Sequence, residues 1–411
     1  MHTPSASRLL FLDWLRIGAF ALLVLYHVGM YYVSWTWHVK SADAGPWLEP
    51  WMRLSSPWRL SLLFLISGAA TSFMLKRDGA SGALLGARSL RLLLPLLFGM
   101  AVIVPPQSYF EVVQQHGYAG GFLDFLRLYY TGYGGFCQAG GACLILPTWN
   151  HLWFVAYLFV YTLALWILAR AWPQGLARVA AALSRLLRGS GLLWLPIAVL
   201  ALLRVTMIDR FAPSHALAGD WYLHASYGAL FIVGAAWARE PAMWARCAAL
   251  RWPALLLALA AWGLMVALSA ALTGRPANPA WLWAGRSAFA AMQWTAIVAA
   301  LGFAQRHLNR DHRWRAMLAE AVFPVYVVHQ TLIIGFAMAL APLHWAPRIE
   351  GPLLAALTLG ASFATYLAVR RVALLRPLFG LQPVASSGAR GPRPQASWFS
   401  TNSSSGGGPQ T

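Results

Sequence analysis

Apolar residues occur in ten long runs separated by polar segments, a pattern typical of a chain that crosses a membrane many times. The runs cover approximately residues 9–33, 58–75, 92–110, 151–169, 191–208, 221–238, 253–273, 282–305, 318–341 and 351–369. A helix needs roughly 20 apolar residues to cross the hydrocarbon core of a bilayer. We therefore predict an all-α polytopic membrane protein with about 10 transmembrane helices, in one domain over residues 1–383.

Composition and charge agree with this class. The chain is 59% hydrophobic and 10% charged, whereas a soluble protein has about 25% charged residues. Its formal net charge of +19 would suggest a nucleic-acid partner in a soluble protein. With both termini placed in the cytoplasm, the cytoplasmic segments hold about three times as many Lys and Arg residues as the outer ones, as the positive-inside rule requires. The lipid bilayer therefore explains the charge, and we expect no nucleic-acid partner.

Two segments outside the runs carry further signals. Residues 384–411 are rich in Ser, Gly and Pro and cannot bury a core, so we expect a disordered cytoplasmic tail. Cys137 and Cys143 fall in a predicted outer loop. If that loop lies in the oxidising bacterial periplasm, the two cysteines can form a disulfide.

The first run contains three ionisable residues, Asp13, Arg16 and His27. Ionisable groups at membrane depth are costly and usually mark function. Arg16 and His27 lie about 20° apart around a helix and roughly 16 Å apart along it, and Asp13 can pair with Arg16. In one interpretation His27 is neutral in an apolar pocket and takes a proton from a hydroxyl. In the other, Arg16 snorkels to the interface and His27 bonds a neighbouring helix.

A second set of basic residues precedes the third run. Arg88 and Arg91 are three residues apart, so on a helix they share a face and can hold a phosphate-rich ligand. The positive-inside rule explains cytoplasmic arginines equally well without any ligand.

The ninth run carries Glu320, Tyr326 and His329. Tyr326 and His329 share a helix face, whereas Glu320 lies near the cytoplasmic end, where it can simply face water. His329 lies near the middle of the membrane and needs a partner, which is either a ligand or another helix.

Two shorter motifs fit structural roles as well as functional ones. His151 and Trp153 begin the fourth run, where tryptophan anchors helices at the interface and the histidine can meet a polar acceptor. Ser67 and the glycine that follows it lie in the second run, where small residues favour close helix packing.

Several common activities lack their motifs. The chain has no P-loop, dinucleotide fingerprint, HExxH motif or CxxC pair, which removes the usual ATPase and zinc-hydrolase interpretations. We expect no metal. A transporter or flippase for a glycan or lipid stays open, because charges inside many spans suit that class too.

Taken in order, the motifs resemble the acyltransferase 3 family of bacterial membrane acyltransferases. The matching segments are LDWLRIGAFALLVLYH, LLFLISGA, RSLR, HLWFVAYL and FPVYVVHQ. They extend over essentially all of the predicted spans. The opening DWLR and the later YHVGMYYVSWTWHVK are most similar to a branch that succinylates periplasmic glucans.

The resemblance implies an acyltransferase in the bacterial inner membrane. Such an enzyme moves an acyl group, here succinyl or acetyl, from cytoplasmic acyl-CoA to a hydroxyl of a periplasmic or envelope glycan. His27 matches the essential histidine of the family, Arg16 its arginine, and Asp13 the acid that commonly precedes that arginine.

The same resemblance gives roles to other residues. Arg88 and Arg91 match the pair at the CoA end, and Glu320 and His329 match the last-helix motif. The sequence leaves open whether His27 acts as a base or carries the acyl group covalently. The acyl group, the acceptor glycan and the oligomeric state also stay open.

Overall fold

The computed structural model describes residues 9–137, 143–238, 240, 242–274 and 278–383, and its regular structure there is helical. This confirms the predicted all-α class. The predicted tail, residues 384–411, lies outside the described residues. The α-helices are α1 (Leu10–Tyr32), α2 (Glu49–Ser55), α3 (Arg59–Asp78), α4 (Gly82–Phe98), α5 (Pro105–His116), α6 (Phe122–Thr131), α7 (Trp153–Ala171), α8 (Pro173–Leu186), α9 (Gly191–Met207), α10 (Trp221–Trp237), α11 (Ala242–Ala249), α12 (Arg251–Leu272), α13 (Pro279–His307), α14 (Arg315–Leu340), α15 (Pro347–Val369) and α16 (Leu375–Leu378).

The number of candidate membrane spans is close to the predicted number of about 10. Within the described ranges, eight helices are long and apolar enough to cross a membrane, and α8 and α9, bent by 109°, would form a ninth if they are one span. All ten apolar runs contain a helix, but α9 and α10 have only 17 residues each. A length of 17 residues is at the lower limit for crossing a bilayer. The chain is a multi-pass membrane protein.

Helix α1 lies inside the bundle and packs against α3, α13, α14 and α15. Phe11, Leu12 and Leu23 on α1 are buried, and so is the charged Asp13. Because neighbouring helices surround α1, its polar groups must find partners on them rather than in water.

The end of α1 is fixed by a lysine from the following loop. Lys40 Nζ donates hydrogen bonds to the backbone oxygens of Met30, at 2.7 Å, and Val33, at 2.6 Å. These carbonyls have no partner within the helix, and a cation is favourable at a helix C-terminus. Burial lowers the pKa of Lys40 to about 8, although the nearby Glu49 acts in the opposite direction.

The predicted disulfide is present. Cys137 and Cys143 are bonded to each other in the segment that follows α6. The same segment is held to the bundle by Tyr129, whose hydroxyl donates to the backbone oxygen of Met100 at 2.8 Å and accepts from the backbone N–H of Thr148.

Glycines bring α3 and α10 into direct backbone contact. A Cβ atom added to Gly68 on α3 would overlap the carbonyl oxygen of Phe231, and one added to Gly234 on α10 would overlap that of Leu65. The crossing is therefore closed to any larger residue. It confirms the close packing predicted for the second apolar run.

Alanine substitutions should separate close packing from helix propensity. We expect Gly68→Ala to destabilise the protein by about 1–3 kcal/mol, because two backbones must move apart. A Cβ at Gly263 would meet no atom within 4 Å, so Gly263→Ala should stabilise α12 by roughly 0.5–1 kcal/mol. Thermal unfolding of the solubilised protein measures both, and equal effects at the two sites would contradict the close crossing.

Candidate active site

Two histidines from distant parts of the chain form the centre of the site. The packing of α1 on α14 brings His27 Nδ1 to 2.8 Å from His329 Nε2. The two ring planes are nearly parallel, with an interplanar angle of 12° and centroids 5.0 Å apart. His329 is fully buried, whereas His27 lies at the edge of a cavity.

A backbone carbonyl assigns the protons on this pair. His329 Nδ1 lies 2.7 Å from the carbonyl oxygen of Tyr326, and because a carbonyl only accepts, this nitrogen carries the proton. Nε2 of the neutral His329 is then an acceptor, so His27 Nδ1 must donate to it. The remaining nitrogen, His27 Nε2, therefore carries a lone pair.

A third histidine locks the start of α7 onto α14. His151 Nε2 donates to the carbonyl oxygen of Val327 at 3.1 Å, and the hydroxyl of Tyr326 donates to the carbonyl oxygen of His151 at 2.6 Å. The rings of His151 and His329 meet edge to face, with centroids 5.0 Å apart. The predicted residues His27, His151, Tyr326 and His329 thus form one cluster.

A buried amide supports this cluster. Gln107 donates to the hydroxyl of Thr331 at 2.7 Å and accepts from the amides of Asn150 and Gln330 at 3.1 and 3.0 Å. Its amide nitrogen also lies 3.4 Å from Nδ1 of His151. Sequence reasoning missed Gln107, although an amide inside an apolar run, here residues 92–110, is the signal that was available.

The cluster borders an open cavity of about 580 Å³. Its walls mix aromatic rings with polar groups, a composition that suits a polar ligand with apolar faces, such as a sugar. We call this space the histidine cavity. Its lining includes Tyr26, His27, Trp37, Arg59, Glu111, Trp149, Asn150, His151, Trp153, Arg204, Tyr227, Gln293 and Gln330.

Ser67, the other predicted supporting residue, does not line the histidine cavity. It lies next to Gly68, and its backbone oxygen accepts a hydrogen bond from Thr71.

Towards its N-terminus, α1 is tied to α14 by charge. Asp13 is fully buried and lies 2.5 Å from Arg315, whereas its distance to Arg16 is 3.8 Å. Arg16 donates to the backbone oxygen of Ala319 at 3.0 Å. The predicted pair of Asp13 with Arg16 is therefore present, but Arg315 is the closer partner.

Five arginines gather near this end of α1, and we call them the arginine cluster. They are Arg16, Arg88, Arg91, Arg370 and Arg376. Charges on the first three are close enough to repel one another, and Arg88 is buried. Arg370 and Arg376 follow α15, and sequence reasoning counted them only as loop charges.

A single carboxylate, Glu320, joins the two parts of the arginine cluster. It lies 3.7 Å from Arg370 and 3.6 Å from Arg376, accepts a hydrogen bond from Tyr366 at 2.9 Å, and attracts Arg91. Its side chain is only 14% exposed, so the alternative in which it simply faces water is wrong.

The model of the acyltransferase 3 family, described as an acyltransferase domain, matches residues 9–367. The chain belongs to this family. It is therefore a membrane acyltransferase. Among the described residues, no group of His, Cys, Asp or Glu side chains is arranged to hold a metal ion.

More specific similarity covers only part of the chain. The chain is similar to proteins named glucans biosynthesis protein C from Escherichia coli strains K12, SMS-3-5 and O1:K1, with 28% identity over 172 residues in each. The match spans 41% of this chain and 41% of each relative. No solved structure matches the chain.

Removing Asp13 should test the charged contact between α1 and α14. We expect Asp13→Ala to cost about 1.5–3 kcal/mol, because a buried charged hydrogen bond is lost while Arg315 keeps its contact with Asp311 at 2.8 Å. Asp124→Ala is the control, since Asp124 and its partner Arg127 are 66% and 86% exposed and such pairs contribute about 0–1 kcal/mol. Thermal unfolding in detergent measures both, and an unchanged midpoint for Asp13→Ala would contradict the assignment.

Proposed function

We propose that the chain transfers a succinyl or acetyl group from cytoplasmic acyl-CoA to a hydroxyl of a periplasmic or envelope glycan. In this proposal the protein lies in the bacterial inner membrane, with the histidine cavity facing the periplasm and both termini in the cytoplasm. Residues 1–383 form one catalytic domain, and 384–411 form a tail. The similarity to glucans biosynthesis protein C supports a glucan acceptor.

One observation carries the chemistry. The chain of hydrogen bonds from His27 through His329 to the Tyr326 carbonyl leaves His27 Nε2 as a base. This arrangement is analogous to a catalytic histidine whose other ring nitrogen donates to an acceptor. That acceptor fixes the tautomer of the histidine and stabilises the cation that forms. His27 also lines the cavity, so a substrate hydroxyl can approach it.

The proposed reaction is a direct acyl transfer. The glycan oxygen attacks the thioester carbonyl carbon, and His27 Nε2 takes the hydroxyl proton. When the C–S bond breaks, the CoA thiolate takes this proton from His27. His329 stabilises the transient imidazolium, because its Nε2 accepts the hydrogen bond from His27 Nδ1.

A covalent relay uses the same nitrogen in two steps. His27 Nε2 first attacks the thioester carbonyl carbon and expels the CoA thiolate, which leaves an acyl-histidine. The glycan oxygen then attacks the same carbon, the acyl–nitrogen bond to His27 breaks, and the hydroxyl proton passes to the thiolate. Incubation with donor alone distinguishes the two routes, since only the relay gives an acylated His27.

The arginine cluster supports the site proposed for the phosphates of CoA. Arginine forks bind the oxygens of a phosphate group in a bidentate manner. The cluster places five such side chains near one end of α1, and Glu320 lies at ion-pair distance from two of them. The cluster and the histidine pair lie towards opposite ends of α1, with roughly 16 Å along the helix between Arg16 and His27. The extended pantetheine arm would run along this helix to bring the thioester to His27.

The alternative of a transporter or flippase without acyl chemistry has no comparable support, because the chain belongs to an acyltransferase family. Release of CoA separates the two classes. We expect the purified chain to free thiol from acyl-CoA when the glycan is added, whereas a flippase would free none.

Mass spectrometry of envelope glycans tests the function in cells. We expect an added acyl mass in cells that express the chain and none with His27→Ala, because the base is lost. His307→Ala, at an exposed histidine at the end of α13, is the matched control and should keep the added mass. Acylation that persists in stably inserted His27→Ala would contradict the role of His27.

Substitutions of His329 test its role as a positioning residue. We expect His329→Phe to lower kcat by about 10²–10⁴-fold with little change in the KM for acyl-CoA, because the tautomer and the cation of His27 lose their support. His329→Gln should lose less, since its amide oxygen can accept from His27 Nδ1. Equal losses for both variants, or a rise in KM alone, would show that His329 only packs.

A further inference from the structure

An arginine that the proposed mechanism does not use lies beside the candidate base. Arg59, the first residue of α3, is 5% exposed and lines the histidine cavity together with His27. Its guanidinium carbon lies 3.2 Å from the ring centroid of Tyr26, the residue that precedes His27. The charge of Arg59 acts electrostatically on His27. An anionic group bound to Arg59 would therefore lie close to the reacting atoms.

The hydrogen-bonding capacity of Arg59 is only partly used. Its Nε and Nη1 atoms are buried and have no hydrogen-bond partner among the residues that the structure describes. Across the same ranges, no carboxylate lies at ion-pair distance from the guanidinium. Glu111, the carboxylate that lines the cavity, is already hydrogen-bonded to His38 at 2.6 Å.

Stacking of the Arg59 guanidinium on Tyr26 does not compensate for the cost of burying its charge. A cation over an aromatic ring gains less free energy than the burial of an unpaired charge costs. A buried arginine is stable when its fork meets an anion with matching geometry. The unused edge of the guanidinium therefore indicates a ligand with anionic oxygens.

A second arginine adds positive charge to the same cavity. Arg204 stacks on Phe289, with its guanidinium carbon 3.5 Å from the ring centroid, and donates to the hydroxyl of Tyr222 at 2.7 Å. It also has no carboxylate at ion-pair distance within the described part of the chain. Two arginines line the cavity, and its one carboxylate among the described residues, Glu111, is hydrogen-bonded to His38, so the cavity favours an anion.

We propose that Arg59 binds an anionic oxygen group of the substrate beside His27 and thereby determines which substrate the enzyme accepts. This inference rests on the proposed acyl transfer. Two parts of the substrates could supply this anionic group: the far carboxylate of a dicarboxylic acyl group, or an anionic substituent on the acceptor glycan. Arg59 is a specificity-determining residue in this scheme, whereas His27 performs the proton transfer.

Binding to the full-length protein in lipid nanodiscs tests the site without any need for turnover. The probes are succinate, its neutral diamide and glycerol phosphate. We expect saturable binding of at least one anion and none of the diamide, with affinity at least about tenfold weaker in Arg59→Gln, because the charged fork is lost. Arg59→Lys should be intermediate, since it keeps the charge but loses the fork.

Arg53→Gln is the matched control. Arg53 lies on α2, pairs with Glu49 at 3.4 Å, and is absent from the lining of the histidine cavity. The Arg53→Gln variant should bind the anions with the same affinity as the unmodified chain. An unmodified chain that binds neither anion, or an Arg59→Gln variant that binds them with unchanged affinity, would overturn the inference.

Activity measurements then identify the source of the anionic group. Succinyl-CoA or acetyl-CoA is combined with a neutral glucan or a phosphoglycerol-substituted glucan. We expect Arg59→Gln to lower transfer by at least about tenfold only where the recognised anion is present, and by less than about twofold with acetyl-CoA and neutral glucan. A loss confined to succinyl-CoA assigns the site to the acyl group, and one confined to the substituted glucan assigns it to the acceptor.

An equal loss in all four combinations would overturn the inference, because it would show a structural role for Arg59. Failure of the proposed function is a separate result. In that case the unmodified chain would release no CoA with any pair of substrates, while the anion binding in nanodiscs would still decide the role of Arg59.

Discussion

The polar contacts between α1 and α14 determine the position of every candidate catalytic group. Charged and polar side chains inside a membrane bundle are costly unless they are paired. Along α1, Asp13 pairs with Arg315, Arg16 bonds the backbone of α14, and His27 bonds His329. Each contact satisfies one of these three side chains of α1, and together the contacts fix the rotation and the height of α1 against α14. The tautomer of His27 follows from this geometry rather than from any nearby acid.

The same constraint links the two ends of the site. Because α1 is held along its length, the arginine cluster near one end and the histidine cavity near the other keep a fixed separation. A donor with a charged head and a reactive thioester needs two such points, one for the phosphates and one for the carbonyl. The proposed path along α1 uses rigid helices rather than loops, and rigid elements hold reacting groups more precisely.

Sequence patterns predicted what depends on local spacing. The helical class, the shared face of Arg16 and His27 on α1 and the close packing at Gly68 all follow from periodicity or residue size. The partners of the ionisable residues do not follow from such patterns. Asp13 and Arg315, for example, are 302 residues apart, and spacing rules describe only near neighbours. Arg59 entered the sequence analysis only through the count of Lys and Arg residues, and such a count does not distinguish a buried cation from a solvated one.

The contrast between satisfied and unsatisfied groups separates structural from functional polarity in this protein. Asp13 and Arg315 are buried and paired with each other, so they need no ligand. His329 uses both ring nitrogens on protein groups, which makes it a support for its neighbour. His27 Nε2 and the edge of Arg59 border the cavity with capacity unused by the described residues. Native structures rarely leave buried polar groups unsatisfied, and the exceptions concentrate where a substrate completes them. Because His27 Nε2 and Arg59 share one cavity, the proposed acyl transfer and the proposed choice of substrate belong to the same site.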